Sequence, residues 1–378
     1  MTASTLRFSS YFERRPVLLT LLTAFASICF LAVTALSHFY TAQQRSLAQR
    51  WSARGAAALN ARQFADAVDD YRTALLYKRG SYSFRLSLAQ ALLGLGRTDE
   101  AYAYLINLWG QQPENGVVNL ELARIAAAKG DSWRAMRFYH NAIYATWTGD
   151  QETASRNARL ELIHYLLRIH ASTQAQAELI AIEANLGEDS PLQAMLGDLF
   201  LNAQDNQHAL EAFQRALGRN RRNAAALAGA GVAAYKLGRY PAAQHYLEEA
   251  LLLAPGDSQS AAWLHKTVSV LMLDPYRPQI GATERDRMAI QAFSVAGARL
   301  KSCTPTWPPD AAALQVFQKN WSSLQPRMNR RGLRRDPDLL NQAMNLAIGV
   351  ERKATAVCGA GSDGDQALLL IANLHEEN

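Results

Sequence analysis

Six alanines constrain this chain more than any other feature. Ala67, Ala101 and Ala135 are spaced by 34 residues, and so are Ala175, Ala209 and Ala243. Three further columns keep the same phase. Twelve residues before each alanine stand Gly55, Ala89, Ala123, Ile163, Gly197 and Gly231. Four after stand Tyr71, Leu105, Tyr139, Leu179, Phe213 and Leu247, and seven after stand Ala74, Leu108, Ala142, Ile182, Ala216 and Ala250. A fixed period of this length marks a repeat architecture in which each unit is one supersecondary element. Here the unit reads as a hairpin of two helices, A and B. Small residues on A and at the start of B let the backbones approach, and the large residue one turn further along B fills the space between units. Leu95-Gly96-Arg97, Lys129-Gly130-Asp131 and Leu237-Gly238-Arg239 predict A–B turns, because glycine accepts the left-handed backbone that ends a helix. Pro241 falls in the first turn of a helix B, where no N–H is needed. The third and fourth units are 40 residues apart. The extra residues are expected in a loop within Thr146–Asn157, with a local break in the superhelix.

The six units, 48–81, 82–115, 116–149, 156–189, 190–223 and 224–257, resemble tetratricopeptide repeats. The family motif W-x2-L-G-x2-Y…A-x3-F…A…P is matched in part: Trp51 holds its first position in the first unit only, and its closing proline is present as Pro113 and Pro255. The resemblance implies an all-α, right-handed solenoid of helical hairpins. It also implies an inner face, lined by helices A, that takes protein segments as extended or helical peptides. Projected from the repeat phase, that face carries Leu86, Gln90, Leu93, Leu120, Arg124, Leu160, His164, Asp198 and Tyr235. This is a mostly apolar groove, and a peptide oriented by Arg124 and His164 is expected in it. The alternative is that these polar side chains are simply solvated. The Lys/Asn/Arg carboxylate clamp of chaperone-binding relatives is missing. Stacked repeats need caps on their end faces, and 258–273 is the expected capping helix.

The array is preceded by a segment of another kind. No Asp, Glu, Lys or Arg occurs from Pro16 to Gln44. The apolar run 17–40 would make a helix of roughly 36 Å, enough to cross a hydrocarbon core of about 30 Å. We therefore expect a tail over 1–15 and a transmembrane helix over 16–40. A cleaved signal peptide is the alternative, although its apolar region is usually about 7–15 residues. Arg7, Arg14 and Arg15 lie on one side of the span, and Arg45, Arg50 and Arg54 on the other. The positive-inside rule thus leans only slightly to a cytoplasmic N-terminus, which would leave the repeats extracytoplasmic at an inner (plasma) membrane. The formal charge of +6 divides as +3 over 1–47, +1 over 48–273, zero over 274–281 and +2 over 282–378. A near-neutral array argues against nucleic acid as the partner.

Beyond the turn-rich stretch 274–281 the period stops. The region 282–378 reads as a small helical module, with helices near 283–303, 310–330, 336–357 and 364–376 and Thr283 or its neighbour as the first cap. Cys303 and Cys358 each end a helix. A disulfide between them suits an oxidising compartment, and two buried thiols are the alternative. Arg327, Arg330, Arg331, Arg334 and Arg335 are the densest charge in the chain. They form either a patch for anionic lipid headgroups, an acidic partner or nucleic acid, or a solvated loop. The string Gly359–Gly364 matches G-x-G-x-x-G, but a dinucleotide site needs a preceding strand, so a flexible loop is expected. No motif for a nucleophile, a metal or a phosphate-binding loop is present, and neither catalytic residues nor a cofactor are assigned. The sequence therefore points to a membrane-anchored, non-catalytic scaffold for protein–protein interaction in envelope assembly or secretion. The alternatives are an accessory subunit or weak enzyme acting through the C-terminal module, and an adaptor facing the cytoplasm.

Overall fold

The structure, a computed structural model, describes residues 10–184, 186, 190–308 and 312–376. The tail residues 1–9 with Arg7, residues 187–189 at the end of the fourth repeat, and Pro309 lie outside the described residues. The fold is all-α, with no strand among the described residues. Helix α1 spans Ser10–Asn60 and is followed by α2 (Phe64–Tyr77). Then come the pairs α3 (Tyr82–Gly94) and α4 (Thr98–Gln111), and α5 (Gly116–Ala128) and α6 (Ser132–Ile143). Next are α7 (Gln151–Arg168) and α8 (Ser172–Glu183), α9 (Ser190–Asn202) and α10 (Asn206–Arg219), and α11 (Ala224–Lys236) and α12 (Tyr240–Leu253). Six helices close the chain: α13 (Ser258–Leu273), α14 (Ala282–Cys303), α15 (Ala312–Leu324), α16 (Arg330–Arg335), α17 (Leu339–Cys358) and α18 (Asp363–Glu376). The chain divides into two compact units, one through Tyr165 and one from Leu166.

The repeat columns have a direct packing cause. All six phase alanines are buried. A Cβ added to Gly197 would lie 2.6 Å from the Phe213 ring, and one on Gly231 would lie 2.5 Å from Leu247. The small column and the large column are thus the two sides of one contact between helices A and B. The A–B turns are equally regular. Arg62, Gly96, Gly130, His170, Gln204 and Gly238 all have positive φ, each five residues before its alanine. Only three of the six are the glycines that marked the turns in the sequence. The other three hold a left-handed conformation that costs an L-residue roughly 1–2 kcal/mol.

In the first unit, α1 joins two environments without a break. Its 51 residues make a rod of about 76 Å. From Leu19 to Tyr40 its large apolar side chains, Phe25, Phe30, Leu31 and Phe39 among them, are exposed and pack on nothing. From Ala48 onward α1 becomes helix A of the first repeat. Ala48 and Ala58 are buried, and Arg54 donates through Nε to both carboxylate oxygens of Asp70 on α2 at 2.8 Å. The expected loop over Thr146–Asn157 is shorter than the sequence indicated, because α7 already begins at Gln151. Asp150 starts it by accepting from the Thr153 amide at 3.1 Å. The remaining turn is pinned where Trp147 lies over Gly116 and donates to the Ala142 carbonyl at 2.9 Å.

In the second unit, 274–281 is a tight connection and not a spacer between independent modules. Asp274 is buried; it accepts from the Tyr276 amide at 2.9 Å and lies 3.2 Å from His375 on α18. One core runs from the last repeat into the C-terminal helices: Tyr240 of α12, Val270 and Leu271 of α13, Ala292 and Ala296 of α14, Met344 and Ala347 of α17, and Leu368 and Ile371 of α18. The C-terminal helices therefore cover the open end of the array together with α13. Several local expectations change here. Helix α14 starts from Gly281 with no side-chain cap, so Thr283 does not serve. The helix expected over 310–330 stops at Leu324, where Pro326 enforces a 3-10 turn over Gln325–Arg327. Cys303 and Cys358 are joined as a disulfide, with Cα atoms 6.0 Å apart. The Gly359–Gly364 loop is held in place: Arg299 donates to the Gly359 carbonyl at 2.5 Å, and Asp365 accepts from the Ser362 amide at 2.6 Å and its hydroxyl at 2.9 Å.

Candidate peptide-binding face

The groove residues expected from the repeat phase divide three ways. In the first unit Leu86, Gln90, Leu93 and Leu160 are half-buried, Leu120 is buried, and Arg124 and His164 are exposed. Arg124 does not stand free to meet a ligand. Its Nε and Nη2 donate to the two oxygens of Glu161 at 2.9 and 2.5 Å, and its Nη1 donates to Glu121 at 3.0 Å. The side chains are 44% exposed for Arg124, 36% for Glu161 and 12% for Glu121. Burial lifts the Glu121 carboxyl above its ordinary range, against the pull of Arg124 and with a smaller lift from Glu161. The guanidinium is in turn held charged by its bond to Glu161. Neither glutamate was singled out from the sequence. The repeat phase contains the signal, since Glu121 and Glu161 occupy one column, a residue beyond Leu120 and Leu160. In the other four repeats that column holds Ala53, Ser87, Met195 and Gly229.

In the second unit the helix-A face opens into a cleft of about 490 Å³ between α9, α11 and α13. Ala225 and Ala228 leave space at its floor, Leu201, Val232 and Trp263 supply apolar walls, and Asp198 and Lys236 supply charge. Asp198 is lifted above the usual carboxylate range by burial. Tyr235 departs from the expectation. It packs edge-on against Trp263 (5.1 Å) and Tyr240 (5.3 Å) beneath α13, and so supports the cleft wall without lining it. Trp263 was missed because α13 was read only as a cap, and Lys236, the last residue of α11, because the projected face ended at Tyr235.

The C-terminal helices hold a second cavity of about 760 Å³ between α14 and α15. Phe293 and Trp321, stacked at 3.7 Å, line it together with Met328, Ser294, Lys301 and Gln318. Its lining contains no carboxylate, imidazole or thiol, and Lys301 is the titratable side chain in it. Among the described residues no group of three His, Cys, Asp or Glu is placed to hold a metal. The arginines lie mostly on α16, a single short helix and not a loop. Leu333 points inward, Arg330, Arg331, Arg334 and Arg335 are exposed, and Arg327 pairs with Asp336.

Comparison with known proteins agrees with this architecture. The sequence profile of the tetratricopeptide repeat family matches residues 52–116 and 194–263, and the chain carries tetratricopeptide repeats. A search of the curated proteins finds no match. Among solved structures the chain is similar to YrrB, described as a TPR protein with an unusual peptide-binding site. The identity is 14% over 51% of this chain and 96% of that one, with a TM-score of 0.40. It is similar to PilW, a type IV pilus biogenesis factor, at 16% identity over 57% and 98% of the two chains and a TM-score of 0.40. It is also similar to the TPR2AB domain of yeast Sti1, at 19% identity over 86% and 99% and a TM-score of 0.27.

Proposed function

We propose that this chain is a membrane-anchored scaffold that holds a protein segment against the helix-A face of its repeats, at the extracytoplasmic side of a bacterial-type inner membrane. A role in envelope assembly or secretion follows from that placement. The observation that carries the binding half is the cleft between α9, α11 and α13. It combines small-residue floor space, an indole, two aliphatic walls and sparse charge, the composition of a ligand-binding concavity. The anchor rests on α1, whose exposed apolar surface between Leu19 and Tyr40 needs cover that water does not supply. Its mean hydropathy over the best window is 2.2. The cysteine pair of the C-terminal helices favours an oxidising compartment, and the exposed arginines of α16 would attract anionic headgroups.

The test is site-specific photo-cross-linking in membranes carrying the full chain. A photoreactive residue at Val232, in the cleft, gives a discrete protein adduct, whereas one at the exposed His245 on α12 gives none. Ala228→Trp, which fills the cleft, removes the Val232 adduct. Equal adducts from both positions, or an adduct that survives the filled cleft, would sink the reading.

A further inference from the structure

A pocket of about 540 Å³ lies on the helix-B side of the last two repeats, between α10 and α12. Leu217, Leu227 and Leu252 line it, and Leu252 is 80% exposed. One repeat before Leu252, in the same column, stands Gly218, and the side chain missing there opens the space. A Cβ added to Gly218 would meet nothing within 4 Å. Glycine inside a helix weakens it relative to alanine, and no close approach within this chain calls for one at 218. The lining also holds Arg221 and Arg222, from the turn that follows α10. Among the described residues no ion pair joins either guanidinium to a carboxylate. Glu249, the acid of the lining, lies 3.5 Å from His245 on its own helix. Charges of +2 and −1 leave the pocket at +1. Gln214 donates to the Tyr246 hydroxyl at 3.2 Å, and that hydroxyl keeps its own proton for a carbonyl oxygen.

We propose that this pocket docks a polypeptide segment in which an Asp or Glu stands beside a leucine-like residue. The apolar side chain fills the space at Gly218 against Leu227 and Leu252. The carboxylate is taken in a two-bond fork by Arg221 or Arg222, the geometry to which a guanidinium is suited. The Tyr246 hydroxyl donates to a backbone carbonyl of the segment. A peptide fits this lining better than a simple anion, which makes no use of the leucines. It also fits better than a lipid headgroup, whose acyl chains stay in the bilayer. The pocket shares no lining residue with the cleft between α9, α11 and α13. It is a second docking site, and the scaffold can hold two segments at once.

A displayed library of random twelve-residue peptides is selected at pH 7.5 on the full chain in phosphatidylcholine nanodiscs. Binders are counter-screened on Gly218→Leu, which fills the pocket without meeting its own chain, and on Ala228→Trp, which fills the other cleft. We expect binders lost on Gly218→Leu and kept on Ala228→Trp, enriched in Asp or Glu beside a large apolar residue. A synthetic peptide from that set binds about tenfold more weakly to Arg221→Gln/Arg222→Gln, the worth of one charge-assisted bond. Replacing its acid by the corresponding amide produces a similar loss on wild type and little further loss on the double variant. Pocket-dependent binders enriched in Lys or Arg, or with no charge preference, overturn the proposal. So does a set lost only on Ala228→Trp, which leaves the reading of that cleft intact. Full displacement of the peptide by inorganic phosphate, or by phosphatidylglycerol in the nanodisc, assigns the arginines to a simple anion or a headgroup and also overturns it. An absence of binders overturns both sites. Circular dichroism confirms that Gly218→Leu keeps its helices, and the amide peptide reads the contact without altering the protein.

Discussion

Glu351 is the group whose replacement most directly tests the physics of the C-terminal helices. It lies on α17 at 0% exposure, and neither carboxyl oxygen has a hydrogen-bond partner. Burial is the main cause that pushes it from 4.5 up to about 8, with the Asp365 charge adding and Arg299 opposing. The folded state therefore holds a proton that the unfolded chain releases. Stability contributed by protonated Glu351 is present in acid and is lost as pH rises from the unfolded value near 4.5 to the folded value near 8. Each pH unit in that window costs at most about 1.4 kcal/mol. At pH 7 the accumulated loss is roughly 3 kcal/mol. Glu351→Gln keeps the volume and stays neutral, so it removes the dependence. We would unfold wild type and variant in urea at pH 5, 6, 7 and 8, following tryptophan fluorescence of the full chain. The variant should match wild type near pH 5 and lead by roughly 3 kcal/mol at pH 7. A difference that is flat with pH, or a wild type that gains on the variant as pH rises, would refute the reasoning.

Three further outcomes follow from local geometry. Gln204→Gly relieves a left-handed residue (φ 63°) in an A–B turn and should stabilise the second unit by about 0.5–1 kcal/mol, seen as a higher urea midpoint. Gly231→Val places side-chain atoms where Leu247 already stands and should cost about 1–3 kcal/mol by the same measurement. Reduction of the bond between Cys303 and Cys358, which lie 55 residues apart, should cost roughly 2–4 kcal/mol. Alkylation and mass spectrometry of protein taken directly from membranes should find both cysteines protected and Cys29 free.

The repeat was legible because close packing leaves a periodic trace: a buried alanine cannot drift, and Gly197 and Gly231 cannot grow without displacing Phe213 and Leu247. Three of the A–B turns were legible through glycine. The turns at Arg62, His170 and Gln204 were not, because a side chain can be forced into the left-handed region when the helices on either side fix the turn. The pairing of Arg124 with Glu121 and Glu161 was not legible, for a different reason. Projection places residues on a face one at a time, whereas the sign of a site depends on pairs, and Arg124 meets Glu161 across 37 positions of sequence. The single core of the last repeat and the C-terminal helices was hidden for the same reason, since His375 and Asp274 are 101 positions apart.

The uninterrupted course of α1 sets a rule for how the first repeat is presented. On the anchoring proposed above, a helix that is membrane-facing at Leu19 and repeat-forming at Ala48 contains no swivel. Each residue inserted between those points would turn the repeat by about 100° about the rod and lift it by about 1.5 Å. The bearing of the binding face about the anchor is then quantised by residue count. Insertions of one, two and three residues after Tyr40 would sweep that face around a circle, and a partner fixed in the same membrane would meet it at only one of those headings.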